Sequence, residues 1–304
     1  MIRTSFSTLG CPDWGWDDLL RFGPQFGYDG VEIRLLERDT DLLARPEFRR
    51  RRLAARRREL DHAVFSVCGL ASSVRFDDPD QRVRDVQVDV GKAYLELAAE
   101  LGASFVRVFG DVLPDGVDAT GRIRAIDNIA DGLQRLGEFA QTLDLTVVVE
   151  THGDFSESTL MRETIQLVES TAVGVLWDTH HPWRFFDETL ASTFNRLQSW
   201  ICHTHWKDSV SGPRRQLDEA TGDEAAEQAH SLMSGHRHAD YVLFGGGQFP
   251  ALECMRLLKQ SGYEGWFSLE WEKMWHPEIE DPEVALPLFP AKIKQLWQFA
   301  DCST

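Results

Sequence analysis

The sequence predicts a single α/β domain built as a (β/α)8 TIM barrel, and three observations carry that expectation. Eight short β-branched or aromatic runs are each bounded by turn chemistry. Apolar residues recur at helical spacing in the stretches between them. No Pro/Gly/Ser linker or low-complexity tract divides the 304 residues. The predicted strands are 4–9, 29–34, 63–69, 104–109, 145–150, 173–178, 200–205 and 266–271. In 122–143 the apolar residues Ile126, Ile129, Leu133, Leu136, Phe139, Ala140 and Leu143 fall on one helical face, and 82–101, 188–199 and 250–262 read similarly. Strand and helix alternating eight times suit a barrel. A doubly wound sheet is the runner-up, but no G-x-G-x-x-G opens the first helix.

Composition bounds the function. A hydrophobic share of 42% supports a sizeable core, and no run approaches the roughly 18 apolar residues of a membrane span. The N-terminal stretch lacks the apolar centre of a secretory leader. Five cysteines without paired spacing read as reduced thiols, so the expectation is a cytoplasmic protein that binds no membrane. A formal net charge of −17 argues against nucleic acid as a partner. The basic stretch 45–60, "RPEFRRRRLAARRREL", reads as a solvated helix face.

In a barrel of this kind the active site lies at the C-terminal ends of the strands. Those ends carry Glu32 and Arg34, Arg107, Glu150 and His152, Asp178 with His180 and His181, His203 and His205, and Glu270 and Glu272. Unpaired charge near a core is costly, so such groups pair with one another or bind a metal. For each residue alone, the plain reading is a salt-bridged strand end. Residues two apart on a strand share a face. Parity therefore brings Glu150, Asp178, His205 and Glu270 together above strands five to eight. Three carboxylates and one imidazole suit one divalent ion. Mn²⁺ or Mg²⁺ is favoured over Zn²⁺, with Co²⁺ and Fe²⁺ as further alternatives.

The stretches "FGYDGVEIR", "VVVETHGDF", "LWDTHH", "HTHWKD", "FGGGQFP" and "GYEGWFSLEWEK" follow one another in the order and spacing of a known family. Over roughly residues 4–275 the chain resembles the xylose-isomerase-like sugar phosphate isomerase/epimerase superfamily. The resemblance implies that Glu150, Asp178, His205 and Glu270 ligate the metal. It further implies that Glu150 and Glu270 exchange protons with substrate and that His181 contacts a substrate oxygen. Candidate substrate contacts are Glu32, Arg107, His152, His180 and Lys207. Glu32 reads equally as a salt bridge to Arg34 or Arg107, His152 as a loop cap, and His180 as an alternative to His181. Glu272 is the weaker candidate of the two late glutamates.

The function so implied is a metal-dependent isomerase or epimerase of a sugar, keto-sugar or cyclitol, acting by proton abstraction beside a carbonyl through an enediolate. The alternative is a dehydratase or lyase that uses the same first step on a keto-sugar or keto-glycoside. An abasic-site endonuclease on the same fold, or a non-catalytic binding subunit, is a remoter reading. Residues 209–244 read as a polar lid, with Arg214 and Arg215, over a mouth holding Trp14, Trp183 and Trp206. Few fixed cations at that mouth predict an uncharged substrate. The glycines at 245–247 read as a tight turn into a helix, since the P-loop lysine and serine are missing. The extension 276–304 is expected to pack on the barrel or on a second copy of the chain in a homo-oligomer.

Overall fold

The computed structural model describes residues 2–110, 112–113, 118–211 and 239–301. Eight parallel strands close into a barrel: β1 (Arg3–Ser7), β2 (Gly30–Ile33), β3 (Ser66–Arg75), β4 (Phe105–Phe109), β5 (Thr146–Glu150), β6 (Val173–Asp178), β7 (Ile201–Trp206) and β10 (Trp266–Leu269). Helices α1 (Trp16–Gln25), α2 (Arg50–Ala63), α3 (Gln81–Leu101), α4 (Ala119–Thr142), α5 (Ser158–Ile165), α6 (His181–Phe185), α7 (Leu190–Leu197) and α8 (Ala251–Gln260) connect them. Between β7 and α8 a short antiparallel pair, β8 (Asp208–Val210) and β9 (Asp240–Val242), forms the stem of the long connection. Arg214 and Arg215 lie outside the described residues.

Strand boundaries depart from the expected ones for local reasons. The first strand stops at Ser7, whose hydroxyl accepts the Leu9 amide and turns Thr8–Gly10 into a 3-10 helix. The third starts at Ser66 because α2 runs to Ala63 and Val64 breaks it in a left-handed conformation, φ 52°. The eighth ends at Leu269, so Glu270 stands just beyond its strand.

Alternation on the strands divides the interior into levels. At the N-terminal end, Cys68, Phe105, Val148, Leu176 and Trp266 form a small apolar plug inside the barrel. Gly30 makes room for that plug: a Cβ there would lie 2.9 Å from the Trp266 ring and 2.7 Å from the Ser66 carbonyl. Two residues further along β4, β5 and β6 the same faces carry Arg107, Glu150 and Asp178. The larger core lies between the strands and the helices. Beyond the barrel, α9 (Pro282–Ala285) and α10 (Phe289–Phe299) pack on it: Tyr28 donates to the Leu286 carbonyl, and Lys259 of α8 donates to the Trp297 carbonyl. The extension thus covers the chain's own barrel. Among the described residues no helix is long and apolar enough to cross a membrane, and Cys11, Cys68, Cys202 and Cys254 are free.

Candidate functional site

Glu150 ends β5, Asp178 ends β6, His205 is the penultimate residue of β7, and Glu270 follows β10. Register brings them together. Asp178 pairs with His205 across β6 and β7, and His205 pairs with Ser268 across β7 and β10. One ligand atom from each of the four residues lies within 4.8 Å of every other, and all four residues are buried.

The Asp178 Oδ1 accepts the His180 and His181 amides at 2.9 and 2.8 Å, starting α6, while Oδ2 stands 2.9 Å from Lys207 Nζ. Helix capping and site-building are therefore the work of two different oxygens of one residue. His205 is oriented from below: its Nε2 lies 2.8 Å from Glu32 Oε2, and the same oxygen meets His203 Nε2 at 3.0 Å. His205 Nδ1 has no hydrogen-bond partner, yet lies 3.4 Å from Glu150 Oε1 and 3.2 Å from Glu270 Oε2. A carboxylate behind the imidazole with a vacant nitrogen facing carboxylates is how proteins present histidine to a metal. On the chemistry of these donors, the four residues fit a divalent ion.

Burial alone would favour neutral carboxyls here, and the neighbours decide otherwise. For Glu150, burial is overcome by Arg107, 3.3 Å away, and by His205, so its pKa is lowered against the opposing charge of Glu270. Burial is likewise overcome at Glu270 by His205 and Lys207. At Asp178 burial wins, helped by Glu270 and Glu150, and pushes the carboxyl up to about 6 despite Lys207. His205, buried, is nonetheless held well above its ordinary value by Glu270 and Glu32.

The cluster opens into a small cavity lined by Leu9, Arg34, Arg107, Phe109, Glu150, His152, His181, Glu270, Glu272 and Trp275. His181 directs Nδ1 at the Thr151 carbonyl, 3.1 Å, leaving Nε2 3.2 Å from Lys207 Nζ. Lys207 is fully buried among carboxylates, 2.5 Å from Glu270 Oε2 and 2.6 Å from Glu272 Oε1.

Several expectations need correction. Glu32 does not line the cavity and makes no ion pair with Arg34 or Arg107; it holds His203 and His205. His180 is also outside the cavity: its Nε2 meets Ser209 Oγ at 2.7 Å, and its ring packs near Trp183, Phe185, Tyr241 and Phe249. Of the two histidines, His181 is the one that faces the cavity. Trp14 packs on Phe6 and Phe22, and Trp206 on Phe244 and Phe267, so neither shapes the mouth. Trp183 packs on Phe249 and is absent from the lining as well. Phe109 and Trp275 supply the aromatic wall instead. Arg34, placed among the strand-end charges but not among the candidate substrate contacts, also lines the cavity. Its signal was available, since it shares a strand face with Glu32 by simple alternation. The amides of Gly245, Gly247 and Phe249 all donate to Asp208, which uses up a turn that would otherwise suit an anion.

A parallel barrel with a carboxylate-rich, histidine-containing cluster at its strand ends defines a class: barrel proteins with a buried side-chain cluster that could hold a metal ion beside a polar cavity. The chain belongs to the xylose isomerase-like TIM barrel family, whose model matches residues 21–287. It is 26% identical over 163 residues to an inosose dehydratase of Lacticaseibacillus casei, covering 53% of this chain and 49% of that protein. The chain thus matches about half the length of this curated relative. The fold is similar to that of a 3-keto-D-glucoside 4-epimerase from E. coli, with TM-score 0.71, 15% identity and coverage of 97% and 100%. It is similar too to a xylose isomerase-like TIM barrel protein from Mycobacterium smegmatis in complex with magnesium, with TM-score 0.69, 16% identity and coverage of 99% and 98%.

Proposed function

We propose that the protein is a divalent-metal-dependent enzyme that removes a proton beside a carbonyl of a sugar, keto-sugar or cyclitol, as an isomerase or epimerase. The convergence of Glu150, Asp178, His205 and Glu270 within 4.8 Å carries the reading. We assign these four as the ligand set. Three carboxylates and an imidazole suit Mn²⁺ best, with Mg²⁺, Co²⁺, Fe²⁺ and Zn²⁺ as alternatives. A divalent ion held there polarises a substrate carbonyl and acidifies the neighbouring C–H.

The chain's own groups supply the rest. Glu150 and Glu270, ionised and in the cavity wall, exchange a proton with substrate carbon: the carboxylate that takes it becomes the acid, and the proton is returned to carbon directly or through the other glutamate. The Lys207 ammonium lies behind the cavity wall, in contact with Glu270, Glu272 and His181 Nε2. It orients His181 and, together with His205, keeps Glu270 ionised against burial. His152 and Arg107 bound the cavity and orient the ligand's hydroxyls. A second reading is elimination of water, in which the same proton loss is followed by departure of a hydroxyl from the next carbon and the protonated glutamate supplies the proton that leaves with it. The inosose dehydratase relative supports that second outcome.

Turnover in D₂O tests the shared step. Deuterium should enter the carbon next to the carbonyl, and an enone absorbance during the reaction marks elimination. Migration of substrate deuterium to the adjacent carbon would reveal a hydride shift and remove both readings.

A further inference from the structure

Arg34 is 8% exposed and lines the same cavity as the catalytic carboxylates. Its Nη2 donates to Ser73 Oγ at 2.8 Å, its Nη1 has no partner, and no carboxylate oxygen lies within ion-pair distance of it. Other buried cations have an ion-pair or hydrogen-bond partner, although Arg107 Nε and Nη1 and Arg84 Nε also make no hydrogen bond. Arg107 has Glu150 at 3.3 Å, and Lys207 has Asp178, Glu270 and Glu272. Arg84, far from the site, donates to the carbonyls of Asp78 and Pro79 and to Gln81. Glu32, two residues back on the same face, is engaged by His203 and His205. Among the described residues that line the cavity, Arg34 is the cation with no carboxylate at ion-pair distance. Burial and the neighbouring Arg107 charge depress its pKa to about 10. Taking an unpaired charge out of water costs several kcal/mol, and only a partner offsets that cost.

The ion pairs point to the partner. A divalent ion together with Arg107 and Lys207 would match Glu150, Asp178, Glu270 and Glu272, and Glu32 is taken up by His203 and His205, so no carboxylate of the site lies within ion-pair reach of Arg34. One guanidinium fork suits a planar monoanion, whereas a phosphate dianion calls for a second uncommitted cation. We propose that Arg34 binds a carboxylate carried by the substrate, which makes the substrate class a keto-sugar acid or keto-cyclitol acid. The inference deepens the proton-abstraction reading and rests on it. It replaces the expectation of an uncharged substrate, because the fixed cation sits in the cavity itself.

Calorimetric titration of the manganese-loaded protein with two matched pairs tests it: D-fructuronate against D-fructose, and quinate against myo-inositol. Wild type should bind the acid of at least one pair thirtyfold or more tighter than its neutral partner. Arg34→Met should reduce that preference to within threefold, and Arg34→Lys should keep part of it. Manganese affinity within threefold of wild type in both variants shows that the site survives. Discrimination below threefold by wild type in both pairs, no binding of either acid, or a preference retained in Arg34→Met would each overturn the proposal. If instead the acid binds through Arg34 and no proton exchanges in D₂O, the chemistry proposed above fails while the carboxylate site stands.

Discussion

Asp178 uses its two oxygens for different ends, one on backbone amides and one on charge. The burial that lifts its carboxyl to about 6 also makes its proton a competitor of the cation. His205 holds a second such proton, since its pKa is well above the ordinary value when no cation faces Nδ1. Both folded-state values are raised, so in the metal-free protein both groups stabilise at low pH. Asp178's contribution is complete below its unfolded value and lost as pH rises through about 6. His205's persists further and is lost only as pH rises through its own higher value. Metal binding must displace these protons, which costs about tenfold in affinity per pH unit for each one. Affinity should therefore climb from pH 5 to 8, with more protons released per ion at pH 5 than at pH 7.5. Titration calorimetry in buffers of different ionisation heat measures both, and a pH-independent affinity would refute the ligand assignment. Asp178→Asn and His205→Ala should lose most of the bound metal by elemental analysis. The convergence of Glu150, Asp178, His205 and Glu270 was legible in the sequence because strand alternation has a fixed period. The partners of Lys207, Arg34 and His180 were not, because where a side chain ends up depends on neighbours from distant strands.

At the scale of elements, the stem of the long connection depends on one carboxylate. Asp208 accepts the amides of Ser209, Gly245, Gly247 and Phe249 and so ties β8 to the turn before α8. Gly247 has to be glycine for this, since a Cβ would lie 2.2 Å from Asp208 Oδ1, and Gly245 adopts φ 79°. The next residue, Ser209, holds His180 and Arg184, which links the stem to α6 and hence to His181. The tight turn was readable from the run of glycines. Its anchor was not, because Asp208 lies 37 residues before Gly245. Asp208→Ala would leave several part-buried amides without an acceptor, at about 1–3 kcal/mol for a group left unsatisfied. We expect a loss of about 3 kcal/mol in chemical denaturation, with Asp208→Asn losing roughly half of that. A loss below about 1 kcal/mol for the alanine variant would mean that water replaces the carboxylate and that the stem does not depend on it.

For the molecule as a whole, the alternation of strand and helix made the barrel legible from end to end, because each period is a local property of the chain. Barrel closure is what the sequence expresses only indirectly. It brings β1 beside β10 and sets Glu32 under His205, 173 residues away. Closure also gathers Glu150, Asp178, Glu270 and Glu272 at one end, around Arg107 and Lys207. Without a divalent ion these carboxylates are left to Arg107, Lys207 and the protonated His205, in a place that water screens poorly. A cation that binds only the folded barrel stabilises it by mass action, by about 2.7 kcal/mol at a hundred times its dissociation constant. For a chain of this size that corresponds to about 5 °C in the unfolding midpoint. Chelation should lower the midpoint by that much and excess Mn²⁺ should restore it, as followed by calorimetry or circular dichroism. In Asp178→Asn neither treatment should move the midpoint, because the same ligand is missing in both states. An unchanged midpoint in the wild-type protein on chelation and reloading would show that the strand ends are held by Lys207 and Arg107 alone, and that no cation belongs there.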